Sequence, residues 1–278
     1  MPKCVHELHG QFIQERQIHK YHYTNKAGLA GILTNCSLWL MDSGGLTDRS
    51  EGRLILQESK KKLKEINNNL FQIYETKIAP NLENFFSCSF SSYGNLLSQW
   101  RGYGDIAIGF DWEILKNQTP RNIKDKNGEH PVTSGLCFTN CKYIDPSIEK
   151  DIEPFVNSVV DRIVNTFEKS DTEIHEIQYC ALTIGAITTS IKHIGFFEEK
   201  EHRIVHYCWD CNPINVINTY RSRIEYKFDV ESIKSIVIGP CENQEEEVFL
   251  VKGLLERLGG KYNNIEIYCS MIPFIKKN

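Results

Sequence analysis

Two short polar clusters stand in apolar, strand-like stretches at opposite ends of the 278-residue chain. The first is Tyr21-His22-Tyr23-Thr24, and the second is Glu199-Lys200-Glu201-His202-Arg203. Residues two apart in a β-strand point to the same face, so this spacing predicts that Glu199, Glu201 and Arg203 lie side by side. Like charges at this distance raise the pKa of one carboxyl group, whereas a guanidinium lowers it. Carboxylates tuned in this way suit acid–base catalysis and the stabilisation of a cation.

The second cluster also has a simpler interpretation, because Glu-x-Glu-x-Arg is common on the solvent face of an edge strand. The first cluster argues against that interpretation. His22 stands between two tyrosines and is followed by Thr24, in a run from Ile18 that reads as a strand entering a helix. We therefore expect the two clusters to form an active site together.

Composition limits the classes of protein that the chain can represent. The 32 Lys and Arg residues are balanced by 36 Asp and Glu, for a net charge of −4, so no global field attracts nucleic acid or an anionic membrane. Residues Met1 to Gly10 carry no apolar core, so no secretory signal is expected. No stretch approaches the roughly 18 apolar residues of a membrane span. These features predict a soluble cytoplasmic protein without membrane partners.

Ten cysteines are expected to be reduced thiols in such a protein. The pairs Cys137/Cys141 and Cys208/Cys211 have spacings that could supply four thiolates to zinc. However, Cys137 and Cys141 bracket a strand-like segment, and no other ligand-type residues stand nearby. Ordinary thiols are the favoured interpretation, and no metal is expected.

The elements that must position the two clusters follow from hydrophobic periodicity. Near the start, a strand, a short helix with Asn25 as N-cap and a second strand are predicted over residues 18–23, 26–34 and 37–40. A helical turn and a glycine-bounded loop are predicted over residues 96–104. Further helices are predicted over residues 54–78, 152–167, 174–193 and 244–258, and further strands over 85–90, 106–110, 137–144, 204–207, 224–228, 233–238 and 265–269.

This order predicts a single α+β domain over residues 1–278, with a helical insertion at residues 50–80 and a helical segment at residues 148–195. Its core is a split central sheet, mixed and antiparallel, with flanking helices.

Several sequence blocks, spread over about residues 17–240, follow a shared pattern. They are Tyr21-His22-Tyr23-Thr24, Ser37-Leu38-Trp39-Leu40, Thr47-Asp48-Arg49-Ser50-Glu51, Cys88-Ser89-Phe90-Ser91, Gln99-Trp100-Arg101-Gly102-Tyr103, Ile106 to Asp111, and Glu199-Lys200-Glu201-His202-Arg203. On these blocks the chain resembles an uncharacterised bacterial family, domain of unknown function 2971 (DUF2971). The resemblance spans most of the chain but implies no activity by itself.

A second resemblance does imply an activity. His-x-Thr on an early strand, an aromatic residue in the middle and Glu-x-Glu on a late strand are similar to the ADP-ribosyltransferase superfamily. That superfamily splits the glycosidic bond of NAD through an oxocarbenium-like ribosyl cation, which a carboxylate can stabilise. The resemblance implies NAD as substrate, an ADP-ribosyltransferase-like fold, and a role such as bacterial toxin or phage-defence effector.

The same resemblance implies residue roles. Glu201 would hold the nicotinamide ribose and stabilise the cation, and Glu199 would orient or deprotonate the acceptor. His22 would bind the adenosine ribose, with Thr24 supporting the loop. The remaining assignments are Tyr103 or Trp100 stacking on nicotinamide, Arg101 or Arg203 pairing with the pyrophosphate, and Ser89 and Ser91 bracing the site.

Several alternatives stay open at this point. Trp100 is also typical of a core anchor, and Tyr103 between two glycines is the better stacking residue. The cleft could belong to a non-catalytic nucleotide- or protein-binding module of a defence or regulatory system, in which Tyr103 and Arg101 matter more than Glu201. A metal-dependent nuclease using Asp48, Glu51, Glu199 and Glu201 lacks a recognised ligand spacing. The acceptor could be protein, nucleic acid, a small molecule or water.

Overall fold

The computed structural model describes residues 5–8, 19–42, 52–119, 121–132, 135–167, 173–208, 211–217 and 219–273. The predicted strand start at Ile18, the break at Gly44-Gly45 and the segment 47–51, with Asp48 and Glu51, lie outside these ranges. Within the described ranges, no helix is long and apolar enough to cross a membrane.

The described residues form fifteen strands and eight α-helices. The strands are β1 (Val5–Leu8), β2 (His19–Thr24), β3 (Ser37–Asp42), β4 (Phe85–Ser91), β5 (Ile106–Asp111), β6 (Asn122–Asp125), β7 (Gly128–Pro131), β8 (Leu136–Asn140), β9 (Lys142–Ile144), β10 (Ile191–His193), β11 (Glu201–Tyr207), β12 (Ile214–Asn215), β13 (Ser222–Lys227), β14 (Ile233–Ile238) and β15 (Glu266–Ser270). The helices are α1 (Lys26–Asn35), α2 (Arg53–Ile66), α3 (Asn68–Ile73), α4 (Leu97–Tyr103), α5 (Trp112–Asn117), α6 (Glu149–Phe167), α7 (Ile174–Thr189) and α8 (Gln244–Leu258).

Short helical segments of other types complete the described structure. A π-helical turn covers Tyr74–Ile78, and 3₁₀ turns cover Ala79–Glu83, Ile194–Glu199, Val230–Ser232 and Gly260–Tyr262.

Thirteen strands join one mixed sheet, ten of them in the order β1-β15-β14-β5-β2-β4-β3-β13-β6-β7. Outside this order, β11 pairs with both β4 and β8, and β12 pairs with β13. The β1, β15 and β14 strands are parallel, and most of the other pairs are antiparallel. At the centre, β2 and β4 share a single register pair, Tyr21 with Ser91. The sheet therefore splits at this point, and the prediction of a large mixed sheet flanked by helices is confirmed.

Alternation along β4 explains how this strand borders both a core and a cleft. Phe86, Cys88 and Phe90 point into the main core, which α1, α5 and α8 help to enclose. The three serines at positions 87, 89 and 91 take the opposite face, because side chains alternate along a strand.

A second core lies between the helices. Residues of α2, α3, α6 and α7 pack together there with Ile144 of β9 and Ile191 of β10. The helical stretches predicted at residues 50–80 and 148–195 thus meet each other and form one layer. A helix with one apolar face must bury that face against another element. In this layer, the helices bury their apolar faces against one another.

Several sequence predictions need correction. The single strand predicted over residues 137–144 is two strands, β8 in the main sheet and β9 in the separate pair with β10. The helix predicted to run to His193 ends at Thr189, because Ile191 enters β10 and pairs in parallel with Lys142 of β9. The loop predicted before Gly104 is the last turn of α4, which ends at Tyr103 and is followed by the C-cap Gly104, with a φ of 138°. Cys208 and Cys211 form a disulfide instead of remaining thiols.

Close packing of α7 on β4 predicts a strong size limit at Gly185. A Cβ atom there would lie 1.8 Å from Cζ of Phe85. We expect Gly185→Ala to lower the free energy of unfolding by about 1–3 kcal/mol in urea titration, as overpacking does.

The matched control is Gly31→Ala in α1, where an added Cβ meets nothing within 4 Å. Alanine has a higher helix propensity than glycine, so Gly31→Ala should raise the free energy of unfolding by up to about 1 kcal/mol. Equal effects of the two variants would contradict the packing described for α7.

Candidate functional site

A cleft of about 200 Å³ opens where β2 and β4 separate. It collects side chains from segments far apart in the sequence, including most of the predicted site residues. Its lining consists of Tyr21, His22, Tyr23, Trp39, Met41, Ser87, Cys88, Ser89, Phe90, Ser91, Gln99, Tyr103, Lys192, Glu199, Glu201, Arg203 and Arg221.

The pairing of β4 with β11 aligns one wall of the cleft. Glu201 stands opposite Ser91, and Arg203 stands opposite Ser89. Residues opposite each other in an antiparallel pair point to the same face, so the serines and the two charged side chains share this wall. The Ser87 hydroxyl also lines the cleft and has no hydrogen-bond partner in the described part of the chain.

Glu199 reaches the cleft in a way that strand alternation does not predict. It is the last residue of the 3₁₀ turn Ile194–Glu199, and Lys200 then adopts a left-handed conformation, with a φ of 44°, before β11 begins. The Ser91 hydroxyl donates a hydrogen bond of 2.6 Å to the carbonyl oxygen of Glu199. A turn braced by Ser91, and not a continuous strand, therefore places Glu199 beside Glu201.

Lys192 joins the two carboxylates. Its Nζ lies 2.6 Å from Oε2 of Glu199 and 2.5 Å from Oε2 of Glu201. The other oxygen of Glu201 accepts a hydrogen bond of 2.7 Å from Nε of Arg203. Two cations thus neutralise two anions in a buried cluster, which avoids the high cost of an isolated buried charge.

The ion pairs control the protonation of this cluster. Burial favours the neutral carboxyl group of Glu201, but Arg203 and Lys192 outweigh burial and lower its pKa to about 2. Burial also opposes the charge of Lys192, yet the two carboxylates outweigh it and raise the pKa of the ammonium. Glu201 is therefore an anion throughout the physiological range, although its side chain is only 4% exposed.

The neighbouring elements fix these side chains. Nη1 of Arg203 donates a hydrogen bond of 2.7 Å to the carbonyl of Thr189, in the last turn of α7. The backbone amide of Glu201 donates one of 2.7 Å to the hydroxyl of Tyr143 in β9. The helical layer and the short β9–β10 pair thus position Lys192, Glu199, Glu201 and Arg203, which together form the charged wall of the cleft.

His22 lies on the other side of the split. Its Nδ1 is 3.0 Å from the carbonyl oxygen of Ser89. A carbonyl only accepts, so the hydrogen-bond network assigns the proton to Nδ1 and leaves Nε2 as an acceptor. Burial lowers the pKa of His22 below its ordinary value. The hydrogen bond to the Ser89 carbonyl raises this pKa, but by less than burial lowers it. The imidazole is neutral near pH 7.

The predicted aromatic residues separate into two environments. Tyr103 lines the cleft at the end of α4 and is 42% exposed. Trp100 is 2% exposed and packs edge-on against Tyr23, with ring centroids 4.6 Å apart. Its Nε1 donates a hydrogen bond to Asn95. Tyr103 therefore meets the cleft, whereas Trp100 supports it from behind.

Two further predicted residues lie outside the cleft lining. Arg101 is exposed on α4. Thr24 ends β2 and packs closely against two glycines: a Cβ at Gly104 would lie 2.3 Å from the Thr24 carbonyl, and one at Gly28 would lie 1.9 Å from its hydroxyl. This packing fixes the end of α4 next to β2, and with it the position of Tyr103.

Sequence reasoning did not single out several of the lining residues, among them Lys192, Trp39 and Arg221. Lys192 stood in a segment predicted as helix, and the sequence Ile191-Lys192-His193-Ile194 carries no signal for its contact with the two glutamates. Trp39 is 48% exposed between fully buried Leu38 and Leu40, as alternation along β3 would have indicated, and the Arg223 guanidinium stacks 3.7 Å from its ring centroid. Arg221 offered no signal.

Comparison with known proteins supports one of the two resemblances. Residues 99–204 match the model of a family described as a protein of unknown function (DUF2971). No curated protein and no solved structure matches the chain. The matched segment runs from α4 to β11 and contains Tyr103, Lys192, Glu199, Glu201 and Arg203, so the charged wall of the cleft falls within the region similar to this family.

The ion pairs of Glu201 predict a loss of stability in acid. The folded pKa of about 2 lies below the ordinary value of 4.5, so the stabilisation is complete above pH 4.5 and is lost as the pH falls towards 2. We expect the difference in free energy of unfolding between wild type and Glu201→Gln to shrink by roughly 2 kcal/mol between pH 7 and pH 3.

Urea titration at several pH values measures this difference. The control variant Glu256→Gln removes an exposed carboxylate of α8 and should stay within about 0.5 kcal/mol of wild type at pH 7. A wild-type to Glu201→Gln difference that is independent of pH would show that Glu201 is not held as a buried anion.

Proposed function

We propose that the protein is an ADP-ribosyltransferase-like enzyme or NAD glycohydrolase, which cleaves the bond between nicotinamide and ribose in NAD. The observation that carries this proposal is the meeting of His22, Tyr103 and Glu201 in one cleft, from three distant parts of the chain. Their order along the chain is the one that the resemblance to the ADP-ribosyltransferase superfamily implies.

Glu201 supplies the charge that the reaction needs. When the bond from ribose C1′ to the nicotinamide nitrogen breaks, its electron pair neutralises the pyridinium and leaves a cation on the ribose. A fixed carboxylate next to this cation lowers the barrier. Each carboxylate oxygen has about two acceptor positions, so Glu201 can accept a ribose hydroxyl while it keeps Lys192 and Arg203.

Glu199 suits the second half of the reaction. Its side chain is 12% exposed, more than that of Glu201, and it lies nearer to solvent and to an incoming acceptor. As a base, Glu199 takes the proton of the acceptor while the acceptor forms the new bond to ribose C1′. Lys192 holds both carboxylates and so sets their separation.

Binding groups surround this centre. Nε2 of His22 accepts a hydrogen bond from a ribose hydroxyl, and the exposed ring of Tyr103 stacks on nicotinamide. Arg203 is bound to Glu201, so we assign to Arg203 the role of keeping that carboxylate ionised. We assign binding of the NAD pyrophosphate to Arg221, which also lines the cleft. Trp39 offers a second exposed ring for a base.

Cleft size limits the part of NAD that we propose to be enclosed. A volume of about 200 Å³ is smaller than that of most pockets for drug-sized ligands, which measure about 300–1,000 Å³. We therefore place nicotinamide and its ribose inside the cleft, with the adenosine half along the open rim. The acceptor is protein, nucleic acid, a small molecule or water, and a role as toxin or phage-defence effector accords with each.

One observation favours a second candidate, a nucleotide-binding module without turnover. Lys192 and Arg203 neutralise the two carboxylates completely in formal charge, as they would in a cluster that only stabilises the fold. In that case NAD or a related nucleotide binds through His22 and Tyr103, and no bond is broken.

Nicotinamide release from NAD tests the proposal. We expect Glu201→Gln to lower kcat by about 100-fold or more, the usual effect of removing one electrostatic group from a transition state. Because this change leaves two cations without their anion, thermal melting must show that the variant is folded at the assay temperature.

A second variant avoids the buried cluster. Tyr103→Ala removes an exposed ring and should weaken NAD binding by about 10-fold, seen as a raised KM, at an unchanged melting temperature. The matched control is Tyr179→Ala, an exposed ring of α7 outside the cleft lining, which should behave as wild type.

The outcomes separate the two candidates. Release that is lost in Glu201→Gln supports cleavage chemistry. An NAD-induced rise in melting temperature without release, abolished in Tyr103→Ala, supports the binding module. Neither release nor a change in melting temperature would overturn both for the isolated protein.

A further inference from the structure

Three ligand-type side chains meet at the end of β11, on the face opposite to Glu201 and Arg203. They are His206, Cys208 and Cys211, in the pattern His-x-Cys-x-x-Cys. Their ligand atoms all lie within 4.8 Å of one another. His206 and Cys208 are buried, and Cys211 is half-buried. The two cysteines form a disulfide, with Cα atoms 5.5 Å apart.

His206 supplies evidence that is independent of the cysteines. Its side chain is 4% exposed, and its Nδ1 has no hydrogen-bond partner in the described part of the chain. Buried polar atoms in folded proteins nearly always have a partner, and each exception needs an explanation. A metal ion bound to the imidazole of His206 beside the two sulfur atoms gives that explanation.

The donor set indicates the nature of this ligand. Thiolate sulfur and imidazole nitrogen are the preferred ligands of zinc, and two cysteines with histidine occur in zinc sites of proteins. Two thiolates balance the charge of Zn²⁺, so the complex is neutral and compatible with burial against the main core. Three protein ligands leave one tetrahedral position for water.

The surrounding structure holds the three ligands in place. The amide of Cys208 donates a hydrogen bond of 3.0 Å to the carbonyl of Asn84. After Cys211, the amide of Asn212 donates one of 2.9 Å to the buried carboxylate of Asp125, the last residue of β6. The ligands therefore belong to a fixed frame built from β11 and the β6–β7 hairpin.

We propose that His206, Cys208 and Cys211 bind a zinc ion when the two cysteines are reduced. A dithiol reductant supplies two electrons and two protons, so that the Cys208–Cys211 bond breaks and the reductant becomes a disulfide. Zinc then displaces the two thiol protons. The disulfide is the oxidised, metal-free form of the same site. This site is independent of NAD cleavage.

Cobalt titration of the full-length protein, reduced with a dithiol and freed of excess reductant, tests the site. Co²⁺ is the probe because thiolate ligands give it a charge-transfer absorption band. We expect one Co²⁺ per chain, displaced by one Zn²⁺. Cys211→Ser should weaken binding at least 10-fold, because it removes the half-buried ligand with little disturbance of the core.

Cys137→Ser is the matched control. Cys137 is a half-buried thiol of β8 outside the three-residue cluster, and sequence spacing alone would have paired it with Cys208 and Cys211. Wild-type affinity in this variant supports the proposed ligand set. Loss of binding equal to that in Cys211→Ser would overturn it.

Alkylation of the wild-type protein gives a result even if Cys211→Ser fails to fold. Zinc should protect two thiols from alkylation, and peptide mass mapping should place them at Cys208 and Cys211. Folded, reduced protein that binds neither metal, or zinc that protects other thiols, would overturn the proposal.

Discussion

The buried contact between Glu201, Lys192 and Arg203 constrains the rest of the molecule. Charges placed out of water must be neutralised at hydrogen-bond distance, and a displacement of about an ångström would leave one of them uncompensated. Four elements therefore have to meet with little freedom. The strand β11 supplies Glu201 and Arg203, β10 supplies Lys192, α7 supplies the Thr189 carbonyl, and β9 supplies Tyr143.

This constraint gives the helical layer a role in the cleft. The helices α2, α3, α6 and α7 have a core of their own, separate from the core of the main sheet. Their contribution to the cleft comes through the end of α7 and the β10 strand that follows it. A layer that would otherwise count as an insertion thus positions the charged wall, and its packing is linked to the protonation of Glu201.

Sequence patterns predicted the parts of the site that depend on local geometry. Alternation along β11 placed Glu201 and Arg203 on one face, and the strand-to-helix transition after Thr24 placed His22. The contribution of Lys192 depends on tertiary contacts, and no periodicity indicates that a lysine will bridge two glutamates from another element. Glu199 was predicted near Glu201 for the wrong reason, since a left-handed residue at Lys200 makes the connection. The extension of α4 through Tyr103 was missed because Gly102 was read as a break, while the positive φ falls at Gly104. The family whose model matches residues 99–204 has no described activity.

The split between β2 and β4 has a mechanical consequence. A single register pair joins the two strands, so a backbone ladder does not fix the width of the opening. Side chains span it instead: His22 contacts the Ser89 carbonyl, and the Tyr23 hydroxyl donates to the carbonyl of Tyr93. His22 thus connects the two halves of the sheet and also lines the cleft. A molecule that binds the His22 imidazole therefore also acts on the contact that holds β2 and β4 together. Binding in the cleft and the width of its opening are thus coupled.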